Sequence, residues 1–112
     1  MAKVIITKPL EEEINKHFKK QSIEIFALLL TLENNPLKGN ILSAVGNILL
    51  KEIRYRNYRF YFIVDGYKLK VLSKENLTDL LLKFVRMSDK KHQQETINEI
   101  KNILKIIGPS GF

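Results

Sequence analysis

The sequence predicts an α+β domain, with an N-terminal strand and two-helix hairpin packed on a mainly antiparallel, twisted β-sheet and closed by a C-terminal helix. Three observations predict it. Apolar residues recur every third or fourth position up to about residue 32 and again from about residue 97. Between them, from 48 to 72, branched and aromatic residues crowd into short runs. Those runs are separated by dipeptides that favour tight turns.

The elements follow in order. Lys3 to Thr7 is a short β-rich run. Thr7 then stands where a helix cap belongs, with Pro9 in the first turn and Glu11-Glu12-Glu13 near the positive helix end. Leu10, Ile14 and Phe18 make the buried stripe of this first helix. Ser22 is placed to cap a second helix reaching about Leu32, with Ile23, Phe26, Ala27 and Leu30 facing inward; Asn34-Asn35-Pro36 ends it. Residues 37–47 read as a connector. Ile48–Tyr55, Tyr58–Val64 and Tyr67–Leu72 read as strands joined at Arg56-Asn57 and Asp65-Gly66, the latter a strong hairpin signal. Ser73 to Thr78 is a polar turn, Asp79 to Met87 a further apolar run, and Ser88-Asp89 a cap for a last helix from about Lys90 to Ile107, stopped by Gly108-Pro109. Ile97, Ile100, Ile103, Leu104 and Ile107 give that helix an apolar stripe suited to core packing.

With 112 residues there is room for one core, expected over 1–108 with 109–112 as a short tail. The absence of cysteine excludes disulfides, thiolate metal sites and thiol nucleophiles, and fits a reducing cytoplasm. No apolar run reaches the length of a signal peptide core or membrane span, so a soluble, cytoplasmic protein is expected. Two distant histidines and scattered carboxylates show no metal-ligand spacing, and no glycine-rich phosphate loop is present; no metal or cofactor is expected. The net charge of +7 is uneven: residues 1–50 carry an excess of +1 and residues 51–112 an excess of +6. A basic half of this kind suits a polyanion partner.

Two-residue loops at both hairpins set a register. Ile53 then lies opposite Phe60, Phe62 opposite Leu69 and Phe60 opposite Val71, an apolar face for the N-terminal helices. On the other face Arg54 opposes Arg59, Glu52 opposes Tyr61, Tyr61 opposes Lys70 and Ile63 opposes Lys68. Two arginines across a ladder repel, by about 0.2–1 kcal/mol against a neutral pair. Either a phosphate compensates them from outside, with the Tyr61 ring as a base platform, or Glu52 bridges them from within.

These residues resemble a known family. Asn35-Pro36-Leu37-Lys38, Lys51-Glu52-Ile53-Arg54 and Asn57-Tyr58-Arg59-Phe60-Tyr61-Phe62 occur in the order and spacing of RelE/HigB-like toxins, and Lys90-Lys91-His92-Gln93 with Glu99-Ile100 is similar to a HigB-like signature. The resemblance implies a ribosome-dependent mRNA endonuclease, metal-independent and neutralised by a cognate antitoxin protein. It implies catalytic roles for Arg59, first for the phosphate, for Arg54 in its support, and for Arg86, Lys91 and His92; RNA contacts are expected from Lys51 and Lys90 and, on the register above, from Tyr61, Lys68 and Lys70. An imidazole is the side chain that titrates nearest neutrality, which suits His92 to acid or base work; His17 reads as surface. The chain departs from the family at Leu50 and Glu52, where RelE-type members carry lysines, so the family's general base does not carry over. It also has Thr96 near a family proline and no tyrosine at the start of the last helix. Two alternatives share the fold: a ParE-like gyrase inhibitor and a non-catalytic RNA-binding module.

Overall fold

The structure, a computed structural model, describes residues 2–71 and 79–112. The elements run β1 (Lys3–Ile6), α1 (Lys8–Phe18), α2 (Ser22–Leu30), β2 (Asn40–Val45), β3 (Ile48–Tyr55), β4 (Tyr58–Asp65), α3 (Gly66–Val71), β5 (Leu81–Asp89) and α4 (Gln93–Ile106). The strands form one five-stranded sheet in the order β1-β5-β4-β3-β2, antiparallel except where β1 runs parallel to β5. The α+β architecture read from the sequence is the one observed.

β4 is the middle strand, and all six of its interior residues are buried. Phe60, Phe62 and Val64 point to one side, where they join Leu10 and Ile14 of α1 and Ile25 and Leu29 of α2. Tyr61 and Ile63 point to the other side and pack with Leu50, Val85 and the α4 residues Ile97, Ile100 and Leu104. Sequence reasoning assigned a core to the first face alone. The second face needs a cover because Leu50, Ile63 and Val85 are apolar, and α4 supplies it. The last helix thus packs on the core through part of its expected stripe, while Ile107 stays exposed. After it a 3-10 turn, Pro109–Gly111, returns the Phe112 ring to this second cluster.

The first hairpin has the expected register, with Tyr55 opposite Tyr58, Arg54 opposite Arg59 and Ile53 opposite Phe60. The second hairpin does not exist. Tyr67–Val71 is helical, and β4 pairs with β5 instead, Tyr61 opposing Arg86 and Phe62 opposing Phe84. The pairings of Phe62 with Leu69, Phe60 with Val71, Tyr61 with Lys70 and Ile63 with Lys68 are therefore replaced. The reason lies in Asp65, whose carboxylate accepts the N–H groups of Tyr67 and Lys68 at 3.0 and 3.1 Å and so starts a helix where a hairpin was expected. Gly66 is pressed into place: its N–H donates to the Asn47 carbonyl at 2.7 Å, and a Cβ there would stand 2.9 Å from Leu49. Leu72 and the turn expected over Ser73–Thr78 lie outside the described residues.

The connector expected over 37–47 contains the edge strand β2. Its Asn, Ser and Ala are weak strand formers, and pairing with β3 holds it extended. Gly39 leads in at φ +105, with the Glu52 carbonyl 2.9 Å from where a Cβ would lie. α2 is rotated from the expected orientation. Ile25, Leu29 and the following Leu32 are buried, whereas Ile23 is 77% exposed and Ala27 and Leu30 also face solvent. The helix is apolar almost all round, so periodicity does not choose a face. The expected caps differ as well: the Thr7 hydroxyl makes no capping bond, and Ser22 lies inside α2 with its hydroxyl donating to the Lys19 carbonyl. α4 begins at Gln93, three residues later than Lys90.

The rotation of α2 is testable. Leu29→Ala should lower the unfolding free energy by about 2–5 kcal/mol, and Ile23→Ala by no more than about 0.5 kcal/mol. Urea denaturation followed by circular dichroism measures both, and a larger loss at Ile23 would favour the orientation that periodicity suggests.

Candidate nucleic-acid interface

α4 covers only part of its face of the sheet. At the end nearest the β3–β4 turn two rungs of polar side chains remain, Arg54–Arg59–Ser88 and Glu52–Tyr61–Arg86, each crossing β3, β4 and β5. The register slips by one residue between the Tyr61 and Phe62 pairings, so β5 gives this face both Val85, in the apolar cluster, and Arg86, beside it.

The centre of the cluster is Glu52, with 1% of its side chain exposed. One carboxylate oxygen accepts a hydrogen bond from Arg54 Nε at 3.2 Å, and the other lies 4.0 Å from Arg59 Nε and 3.5 Å from the Gln93 amide of α4. The anion that offsets the opposed arginines is therefore internal. The two arginines are not equivalent. Arg54 is 58% exposed, whereas Arg59 is 7% exposed and directs Nη1 to the carbonyls of Tyr58 and Arg56 at 3.2 and 3.5 Å. Arg59 Nε is buried without a hydrogen-bond partner among the described residues. A fork of both guanidiniums on one external phosphate, as the sequence suggested, is not available from this arrangement; Arg54 alone reaches solvent.

The remaining site candidates divide. Arg86 donates to Glu99 at 2.8 Å and to the Val85 carbonyl at 2.8 Å, with Phe112 stacked 5.2 Å away, so it ties α4 to β5. Lys90 and Lys91 are exposed just beyond β5, and His92 beside them has Nδ1 2.7 Å from Asp89 Oδ1, which also accepts the His92 backbone N–H at 2.9 Å. These hydrogen bonds from His92 hold the Asp89 carboxyl below its usual range. Tyr61 is buried, its hydroxyl 2.8 Å from Ser88 Oγ, so its ring is closed to a stacking base. Lys51 belongs to the opposite face: Nζ donates to the Leu37 carbonyl at 3.2 Å above the Phe62 ring, and burial pushes its ammonium below the ordinary lysine range. Lys68 and Lys70 ride on α3, away from the cluster.

Three participants were not assigned site roles from the sequence. Asp89 was read as a cap alone, although an acid three residues before a histidine at a helix start is a pairing that spacing reveals. Gln93 reaches Glu52 only through the fold. His17 is exposed as expected, but its Nε2 lies 2.9 Å from the Tyr58 hydroxyl, a partner 41 positions away that no local pattern announces.

Among the described residues no three metal-binding side chains gather, and no helix is long and apolar enough to cross a membrane. Comparison of the chain with family models, with curated proteins and with solved structures finds no match.

Two outcomes follow from the burial of this cluster. Glu52→Gln should destabilise the fold by about 2 kcal/mol or more, because it leaves the Arg59 charge buried and unpaired, and adding Arg59→Met should restore part of the loss. Additive losses in urea denaturation would show that the two groups do not interact. Burial pushes the Tyr61 hydroxyl up, against a lowering by its Ser88 hydrogen bond, and Glu52 adds a lesser upward push. The hydroxyl's stabilising effect is complete below the unfolded tyrosine value of about 10 and is lost as pH rises from there towards the folded value. Ultraviolet titration of Tyr61→Phe against the parent should remove one ionisation, the one that coincides with alkaline unfolding.

Proposed function

We propose that the chain is a RelE/HigB-like toxin that binds messenger RNA on the ribosome and cuts it without a metal, restrained by a cognate antitoxin. The supporting observation is the β3–β4 register, which sets Arg54 and Arg59 on one face at the end of the sheet where β5 leads into Lys90, Lys91 and His92.

The chemistry is attack of a ribose 2′-hydroxyl on the adjacent phosphate with departure of the 5′-oxygen. It needs a base for the 2′-hydroxyl proton, which passes here to solvent water, cations for the developing charge and an acid for the leaving 5′-oxygen. Arg54 meets the phosphate. Arg54 bonds the buried Glu52 through Nε, and its guanidinium, 58% exposed, keeps its Nη groups for an incoming phosphate. Arg59 acts from beneath, fixing the turn carbonyls that position the hairpin tip. His92, with Nδ1 held by Asp89, offers Nε2 as the acid, and Lys90 and Lys91 add charge along the path of the strand.

The burial of Arg59 and Tyr61 favours a second reading, in which the same surface holds RNA without cutting it. Adding the protein to a translating extract and mapping transcript ends separates the two. The toxin reading expects cuts inside ribosome-occupied codons with 5′-hydroxyl ends, slowed about 100-fold by His92→Ala, and an affinity about tenfold weaker for Arg54→Ala. Binding without cuts would establish the second reading, and gyrase-dependent DNA breaks in expressing cells would point to a ParE-like activity.

A further inference from the structure

At the far end of β3 from Arg54, α3 and the β2–β3 turn enclose an open cleft of about 310 Å³, lined by Tyr67 and Lys70 together with Asn47, Leu49 and Gly66. Leu49 and Arg54 are five steps apart on β3, roughly 17 Å at strand rise, and point to opposite faces of the sheet, so a strand that touches both passes round its β2 edge. We infer that this cleft is a second contact for single-stranded RNA, in which one base stacks on Tyr67 while a neighbouring phosphate meets Lys70. The inference rests on the RNA-binding reading above and extends it to a surface outside the arginine cluster.

Tyr67 is 66% exposed, while Tyr55 and Tyr61 are buried in the two cores. It stands three residues before Lys70 on α3, the spacing that puts two side chains on one helical face. A stacking platform must be held still, and this one is held at its base. Asp65 accepts the N–H groups of Tyr67 and Lys68, and Gly66 is bonded to Asn47 across the cleft wall at 2.7 Å. Among the described residues no acidic side chain lines the cleft itself. An aromatic face beside an ammonium, in an open depression without enclosing walls, suits a base and its phosphate in a flexible strand. Stacking is tolerant of sequence, so this contact adds affinity and reach without selecting a codon.

The test measures binding of a short oligouridine by fluorescence anisotropy at several salt concentrations, using the full chain. Tyr67→Ala should weaken binding about tenfold and Tyr67→Phe by less than about twofold, since the ring and not the hydroxyl is used. Lys70→Gln should flatten the logarithmic salt dependence by about 0.7. Tyr67 is exposed, so unchanged thermal unfolding of the variants should accompany these effects. Ultraviolet crosslinking should join uridine to the peptide carrying Tyr67. Parent-like affinity in Tyr67→Ala, or equal weakening by Tyr67→Phe, overturns the inference while an effect of Arg54→Ala keeps the RNA reading. Failure of the unaltered protein to bind at low salt overturns both.

Discussion

β4 has to be covered on both sides, and most of the molecule follows from that requirement. Its sequence from Arg59 to Val64 is buried residue after residue, as a strand in the middle of a sheet must be. Phe60, Phe62 and Val64 draw α1 and α2 onto one face, and Tyr61 and Ile63 draw α4 onto the other. Burying one such side chain is worth about 1.5–3 kcal/mol, so neither cover is dispensable in a domain whose net stability is about 5–15 kcal/mol. Because α4 packs on the apolar half of its face, the polar rungs lie at the end where β4 carries Arg59, and Arg54 is the member of them most open to solvent.

That placement explains why two adjacent arginines behave so differently. Arg59 lies under the edge of the α4 cover, where an unpaired charge would be costly, and it is matched by an equally buried Glu52. Arg54, one strand outward, keeps most of its guanidinium in water while its Nε bonds the same carboxylate. A single glutamate thus faces a buried cation at 4.0 Å and an exposed one at 3.2 Å. The resemblance put Arg59 first for the phosphate and Arg54 in support, whereas Arg59 is buried against the turn carbonyls and Arg54 is the one that solvent reaches.

The sequence was informative wherever pattern and chemistry allowed one solution. The α1 stripe at Leu10 and Ile14, the β3–β4 register and the closing helix each followed from spacing with no rival arrangement of similar burial. It misled where two solutions were nearly equal. α2 offers two apolar stripes, and only contact with the sheet selects Ile25 and Leu29. Asp65-Gly66 serves a hairpin or a helix start equally well, and the close approach of Gly66 to Leu49 and Asn47, a long-range contact, decides it. β2 was missed because Asn40, Ser43 and Ala44 interrupt its apolar residues, and it takes pairing with β3 and the packing of Leu42 and Val45 on the second cluster to hold it. In the polar cluster the Arg54–Arg59 pairing was legible, but which of the two would be buried depended on the second cover, α4, whose docking the one-core reading did not contain.

Relocating Lys68 and Lys70 from the sheet to α3, and burying Lys51, changes the electrostatic character of the molecule more than its net charge. A sheet face bearing all these cations would have been a single deep positive site, with affinity concentrated in one place. The fold instead separates these candidate cations into the Arg54 and Lys90–Lys91 end and the α3 end, at opposite ends and on opposite faces of β3. Each group alone gives a modest, salt-screened attraction, because solvent-exposed charges beyond about 8 Å are largely damped at physiological ionic strength. A polymer that spans both gains from the second contact as an intramolecular event at high effective concentration. A small anion gains nothing from the separation. On the proposed reading, this distribution makes the surface selective for extended strands over free phosphate and mononucleotides without any enclosed pocket, since length and not a deep binding site is what the arrangement rewards.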